Sequence, residues 1–156
     1  MRKGFTIIEI IATLGLLLFG IVAALSAVTY TVRASTDAGH RLTATFLASE
    51  GLELMHNARD NDRMVNPPTT IAPDNYDVAP NGSTILLRSA TSTPLLYDSG
   101  TGLYGYSSGS ATAFHRTVTV TASSLGEDHL IVTSRVTWDN GNHAVSLTTH
   151  LYDWRL

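Results

Sequence analysis

A long uncharged segment near the start of the chain constrains its fold more than any other feature. No charged residue stands between Glu9 and Arg33, and residues 10–28 are apolar apart from two hydroxyl side chains and two glycines. A helix needs about 20 apolar residues to cross the hydrocarbon core of a bilayer. Residues 5–28 are therefore long enough to span a membrane.

The charges around this segment predict its orientation. Arg2 and Lys3 are the only basic residues near its start, and basic residues favour the cytoplasmic side. We expect a single-pass protein of the cytoplasmic membrane, with its N-terminus inside and everything after about residue 33 outside. A secretory signal peptide cut near Ala24-Leu25-Ser26 is the alternative, but its apolar region would be shorter and would lack a carboxylate such as Glu9.

Glu9 is the polar residue of greatest interest, because a carboxylate at the edge of an apolar membrane segment is costly and needs a partner. The simpler interpretation is that its side chain reaches the lipid headgroups without a partner.

The first nine residues carry a family resemblance. Gly4-Phe5-Thr6-Ile7-Ile8-Glu9 resembles the prepilin motif of type IV pilins and type II secretion pseudopilins. The resemblance implies that a prepilin peptidase cuts after Gly4, that Phe5 becomes the N-methylated terminus, and that Arg2 and Lys3 belong to the leader. It also implies that Glu9 meets the terminal amine of a neighbouring subunit during assembly. Both charges are costly in hydrocarbon unless they are paired, so a staggered neighbour would satisfy them.

A second, weaker resemblance covers residues 46–60, whose Ala48-Ser49-Glu50-Gly51 segment and following Asn57-Ala58-Arg59 are similar to PilV-type minor pilins and I-type pseudopilins. Many major pilins have a proline in the membrane half, whereas this chain has Ser26 near that place. The implied partners are prepilin peptidase, other pilin or pseudopilin subunits, the inner-membrane assembly machinery and membrane lipid.

The composition is consistent with one long helix followed by one small folded domain, which we call the head. The chain has 156 residues, a net charge of −3 with 15% charged residues, and no cysteine. The charge provides no basic field for nucleic acid, and no partner of that kind is expected. The head must fold without a disulfide.

The order of elements predicts an α+β, pilin-like fold in which a long N-terminal helix packs on a small antiparallel sheet. No proline interrupts residues 5–62, and Pro67 and Pro68 should end the helix. The expected segments are a leader at 1–4, a membrane and assembly half at 5–33, an amphipathic half at 34–65, an irregular αβ loop at 66–83 and a β head at 84–156.

Spacings of three and four predict which helix residues face the sheet. The predicted stripe comprises Leu42, Phe46, Ser49, Leu52, Met55 and Ala58. Arg41, Glu50, Glu53 and Arg59 are expected to lie outside it.

Strands are predicted at 84–88, 95–97 and 115–122, followed by a hairpin around Asn140-Gly141, a type I′ turn signal. This turn pairs Trp138 with His143 and Leu130 with Leu151. The register gives the hairpin one apolar and one polar face.

Several enzyme-like patterns lack the context they require. Gly105-Tyr106-Ser107-Ser108-Gly109 matches the G-x-S-x-G motif, but that motif needs a preceding strand, a following helix and a larger sheet. Glu53-Leu54-Met55-His56 is a single E-x-x-H, and a di-iron site needs two. We therefore expect no enzyme, no catalytic residue and no cofactor.

Metal and glycan patterns are equally weak. His143 and His150 lie an odd number of residues apart on one strand and should face opposite sides, so no metal site is expected. Asp74-Asn75-Tyr76-Asp77 lacks the spacing of a calcium loop, and Asn81-Gly82-Ser83 is a common acceptor pattern for N-glycosylation.

Two function classes remain open. The first is a pilin-like subunit, more in keeping with a minor pilin or pseudopilin, that is inserted in the cytoplasmic membrane and polymerises through its helix. The second is a membrane-anchored extracytoplasmic binding or adhesion domain that does not polymerise. They differ at Glu9, which assembly requires and a plain anchor does not.

Overall fold

The computed structural model describes residues 4, 6–64, 71–81, 84–122 and 129–152, the side chains of residues 62 and 63 excepted. The chain divides into two compact units, one up to His40 and the other from Arg41 onward. Each unit is described by itself below.

One helix, α1, comprises Ile7–Met64 and contributes to both units. It begins directly after Thr6, whose carbonyl oxygen accepts hydrogen bonds from the backbone N–H groups of Glu9 and Ile10 at 3.1 and 3.2 Å. It ends three residues before Pro67, which cannot continue a helical hydrogen-bond ladder. The predicted long helix is confirmed.

The second unit contains two antiparallel sheets beside the C-terminal part of α1. Eight strands are described: β1 (Asn75–Asn81), β2 (Thr84–Ser89), β3 (Leu96–Asp98), β4 (Leu103–Gly105), β5 (Ser110–Ala111), β6 (His115–Ala122), β7 (His129–Trp138) and β8 (His143–Tyr152). The larger sheet has the order β2-β1-β6-β7-β8, and the smaller one has the order β4-β3-β5. The predicted α+β class, with a long helix on a small antiparallel sheet, is confirmed.

Strand β1 corrects the prediction that residues 66–83 form an irregular loop throughout. It pairs with β2 along its whole length, from Tyr76–Ser89 to Asn81–Thr84, and with β6 at its first two residues. Asp77, Val78 and Ala79 are buried in succession, so the strand lacks the alternation that predicts a half-buried strand. Pairing with β2 and β6 therefore forms a strand here, although Pro80 has no backbone N–H to donate.

The last hairpin has the predicted register. Trp138 pairs with His143 and Leu130 pairs with Leu151. The Asn142 N–H donates to the Asp139 carbonyl oxygen at 3.0 Å, and Asn140 and Gly141 have φ values of 53° and 88°. These are the features of the predicted type I′ turn.

The sheet-facing stripe of the helix was predicted incorrectly in its first half. Leu42 and Phe46 are 59% and 66% exposed. The side of the helix that faces the sheet instead carries mostly small residues. The buried positions in this part of the helix are Ala44, Leu47, Ala48, Gly51 and Met55. Small residues are needed there because a large buried side chain of β6, Arg116, lies under the helix.

The core of the second unit has two parts. One part packs Leu47 and Ala48 with Phe114, Val136 and Trp138. The other packs Met55 with Val78, Val118, Val132 and Leu151. Both parts use alternate residues of β7 and β8, which the pleat of a strand directs to one face, and only the second part also uses residues of β6.

Candidate functional site

The N-terminal part of α1 presents a continuous apolar surface. Every described residue from Thr6 to Thr36 is exposed, and the exposed fractions of Leu16 and Phe19 reach 75% and 80%. By length and composition, this helix could cross a membrane, and its most apolar window is 0% buried. Such a surface must be covered by hydrocarbon or by protein from other chains, since contiguous apolar patches of this size mark an interaction site.

Both hydroxyl groups of residues 10–28, and that of Thr29, are already hydrogen-bonded inside the helix. Thr13 Oγ1 donates to the carbonyl oxygens of Glu9 and Ile10, each at 2.9 Å, and Ser26 Oγ donates to that of Val22 at 2.9 Å. The Thr29 hydroxyl donates to the Leu25 carbonyl oxygen in the same way. Polar groups satisfied within one helix can enter an apolar environment at low cost.

The Glu9 carboxylate is therefore the prominent polar group of this surface. It lies in the first turn of α1 and is exposed, and the described residues provide it with no hydrogen bond or ion pair. Its backbone N–H lies 3.4 Å from Thr6 Oγ1, the bond expected of an N-cap threonine. A carboxylate in this turn also interacts favourably with the positive end of the helix dipole.

Sequence reasoning missed this helix-starting role. Thr6-Ile7-Ile8-Glu9 fits the S/T-x-x-E pattern of a capping box, which the sequence alone could have shown. The structure forms the Thr6 half of this pattern, the bond from the Glu9 N–H to Thr6 Oγ1, and leaves the Glu9 carboxylate without a hydrogen bond among the described residues.

The structure describes only part of the predicted processing site. Gly4 is exposed and precedes the helix. Arg2, Lys3 and Phe5 lie outside the described residues. Cleavage between Gly4 and Phe5, and methylation of Phe5, stay predictions.

A buried ionic cluster joins the helix to the sheet within the second unit. Arg116 of β6 is 1% exposed, and its Nη1 donates to the Leu47 carbonyl oxygen at 2.9 Å and to Glu50 Oε2 at 3.0 Å. Its Nη2 donates to the Val78 carbonyl oxygen of β1. Glu50 was predicted to lie outside the packing face, and this prediction was wrong because the arginine supplies the charge that its carboxylate needs.

A fully buried carboxylate, that of Asp77 in β1, holds the segment after β2. Its Oδ2 accepts from Thr91 Oγ1 at 2.7 Å, from the Thr91 N–H at 3.1 Å and from Arg88 at 3.3 Å. Asp77 was considered a possible calcium ligand in an exposed turn. Its burial in a strand, with its Oδ2 already bonded, gives it a structural role instead.

Tyr106 contacts both Arg116 and Arg88, the arginines that pair with Glu50 and Asp77. Its hydroxyl donates to the Arg116 carbonyl oxygen at 3.0 Å, and the Arg88 guanidinium lies 5.1 Å from its ring centre. Burial raises the pKa of Tyr106 above its ordinary value, and the positive charge of Arg116 opposes this rise only in part. The phenol therefore stays protonated and acts as a donor in the core.

The G-x-S-x-G motif at residues 105–109 lies between strands β4 and β5. Gly105 ends β4, and the motif is followed by strand β5 rather than by the helix that a nucleophile elbow needs. Ser108 Oγ donates to Asp98 Oδ2 at 3.1 Å and closes a turn. Among the described residues, no group of three or more histidine, cysteine, aspartate or glutamate side chains could hold a metal ion.

The fold and its exposed segment define a class: an α+β chain with a long apolar N-terminal helix, compatible with a single-pass membrane anchor and with a pilin-like architecture. Comparison with protein-family models, curated proteins and solved structures gives no match in any of the three.

Proposed function

We propose that the chain is a pilin-like structural subunit that assembles through its N-terminal helix into a type IV pilus or pseudopilus, as a minor subunit. In this proposal a prepilin peptidase removes residues 1–4, Phe5 becomes the methylated terminus, and the head lies outside the cytoplasmic membrane. Other pilin or pseudopilin subunits and the inner-membrane assembly machinery are its partners.

The observation that carries the proposal is the exposed apolar segment with one carboxylate at its start. The hydroxyl groups of Thr13 and Ser26 are satisfied internally, so residues 10–28 can pass from lipid to protein surroundings without exposing a new polar group. Glu9 alone carries charge between Gly4 and Arg33. A new terminal amine on a neighbouring subunit is a chemically matched partner for it.

The alternative is a membrane-anchored binding or adhesion domain that does not polymerise. The same exposed segment supports a plain anchor, because hydrocarbon would cover it equally well. The carboxylate favours the subunit, since a plain anchor gains nothing from a charge at the start of its apolar segment.

Processing is tested by mass spectrometry of the N-terminus in cells with and without a prepilin peptidase. We expect a methylated chain starting at Phe5 only when the peptidase is present. A Gly4→Ala variant is the matched control and should accumulate as the precursor. A chain that starts near Ala27, or keeps Met1 in both strains, would contradict the proposal.

Assembly is tested by Glu9→Gln. The Thr6 hydroxyl that caps the helix is unchanged in this variant, so the helix start is kept and only the charge is removed. We expect normal membrane insertion with loss of incorporation into sheared filaments. Equal incorporation of Glu9→Gln and the unmodified chain would leave the plain anchor as the better description.

A further inference from the structure

Two histidines of neighbouring strands meet at one end of the larger sheet. The ladder pairs His129 with Tyr152 and Ile131 with His150, which places both histidines diagonally on the same face. His129 Nε2 and His150 Nδ1 are 3.1 Å apart. Their backbones are fixed by two ten-residue strands.

We propose that this pair binds a borderline divalent transition-metal ion, such as Zn²⁺, with His129 Nε2 and His150 Nδ1 as its two protein ligands. Two imidazole nitrogens on a tetrahedral zinc ion, each at about 2.0–2.1 Å from the metal, lie about 3.3 Å apart. The separation in the structure is within a few tenths of an ångström of that value. Binding requires the two rings to rotate from their hydrogen-bonded orientation until both lone pairs point at one ion.

The proton balance of the step is simple. Without metal, one imidazole N–H donates to the lone pair of the other ring. When the ion binds, the donating ring moves that proton to its other nitrogen, and both facing nitrogens become ligands. The neutral pair releases no net proton, whereas protonated histidines must lose theirs first.

The His129 ring is buried against its neighbours, whereas the His150 ring is accessible to solvent. His129 is 8% exposed, and its ring centre lies 4.7 Å from that of Tyr152. His150 is exposed. An ion can therefore approach from the His150 side and keep water in its remaining coordination positions. Imidazole ligands select zinc, copper and nickel over magnesium and calcium.

Among the described residues, Arg59 contacts the backbone of Tyr152, the residue paired with His129, and its charge is itself paired. Arg59 Nη1 donates to the Tyr152 carbonyl oxygen at 3.3 Å, which ties the end of β8 to the helix. Its Nη2 forms an ion pair with Asp60 at 2.9 Å. The aspartate offsets part of the repulsion that the guanidinium would exert on a bound ion.

The predicted hairpin register already contained this pair. Pairing Leu130 with Leu151 places His129 opposite Tyr152 and therefore beside His150. Sequence reasoning compared only His143 and His150 along one strand, and those two do face opposite sides. Metal ligands on paired strands are found by register rather than by sequence spacing.

The test is isothermal titration calorimetry of the full chain in detergent, without a histidine tag, with ZnCl₂ at pH 7.5. We expect binding of one ion that weakens at least about tenfold in His150→Gln, the loss typical of damage to a metal site. His143→Gln, on the opposite face of the same strand, is the matched control and should bind as the unmodified chain does. MgCl₂ should give no binding heat at the same concentrations.

Electron paramagnetic resonance of the Cu²⁺ complex should show two coordinated nitrogens, and one in His150→Gln. Unchanged zinc affinity in His150→Gln, or no zinc binding by the unmodified chain, would overturn the proposal. Neither result bears on filament assembly, because no part of this site belongs to the N-terminal segment.

Discussion

Gly51 of the helix lies so close to Ser134 of β7 that a Cβ atom on Gly51 would stand 2.6 Å from the serine Oγ. The same atom would lie 3.0 Å from Arg116 Cδ and 3.3 Å from Val118 Cγ2. The glycine that weakens the helix locally is thus the residue that permits its close approach to the sheet.

Gly51→Ala should lower the free energy of unfolding by about 1 kcal/mol. Overpacking costs about 1–3 kcal/mol, and the better helix propensity of alanine offsets about 1 kcal/mol of that. Urea denaturation of the full chain in detergent, followed by tryptophan fluorescence, measures the difference.

Ser134→Ala is the matched rescue for this prediction. The serine hydroxyl is buried with no hydrogen-bond partner among the described residues, so its removal alone should be neutral or stabilising. In the double variant with Gly51→Ala the loss should shrink. An undiminished loss would show that the clash with Ser134 is not the cause.

Glu50→Ala should lower the free energy of unfolding by about 1.5–3 kcal/mol, the usual contribution of a hydrogen bond to a charged group. The reason is that Arg116, whose side chain is 0% exposed, would keep its charge without its carboxylate partner. Glu50→Gln keeps an acceptor and should lose less. Glu53→Ala, an exposed site one turn along the same helix, should change little, and an equal loss there would contradict the role of the pair.

The lowered pKa of Asp98 predicts that the stability of the turn after β3 depends on pH. Hydrogen bonds from the Gly100 N–H and then from the Ser108 hydroxyl lower the pKa of Asp98 below its ordinary value of 3.8. Because its pKa is depressed in the folded state, the stabilisation is present above pH 3.8 and is lost as pH falls through the folded pKa.

The expected result is a difference in melting temperature between the unmodified chain and Asp98→Asn that shrinks below about pH 4. Carboxyl-carbon NMR of Asp98 measures the titration directly. Ser108→Ala should raise the pKa of Asp98 towards 3.8, since it removes the second of the two bonds. A difference that stays constant down to pH 2 would refute the assignment.

Gly141→Ala should lower the free energy of unfolding by about 1–2 kcal/mol, because a left-handed conformation is unfavourable for a residue with a side chain. Gly141 has a φ of 88°, and a Cβ there would meet nothing within 4 Å, so the cost comes from the backbone alone. Gly105→Ala is the control, because that site is equally open without a positive φ. Thermal melts of the two variants should separate by several degrees.

Several elements could be predicted from short sequence patterns, because neighbouring residues alone determine them. The absence of proline predicted a helix over residues 5–62, close to the observed end at Met64, and Asn140-Gly141 predicted both the turn and the pairing of Trp138 with His143. The exposed apolar segment also follows from composition alone. For the processing of Gly4-Phe5 and the assembly role of Glu9, sequence provides the hypothesis and experiment must decide.

The remaining features depend on which distant residues meet. Strand β1 exists because β2 and β6 pair with it, although its own composition suggests a loop. The helix face was misassigned because hydrophobic spacing alone gave no sign that a buried arginine would lie under it.

The sequence by itself determined a long apolar helix with one carboxylate at its start, because helix length, charge and hydropathy are properties of neighbouring residues. Only the tertiary structure decided that Gly51 faces Ser134, that Glu50 pairs with Arg116 and that His129 meets His150. Each of those contacts joins residues from different elements, and packing rather than local preference determines their separation.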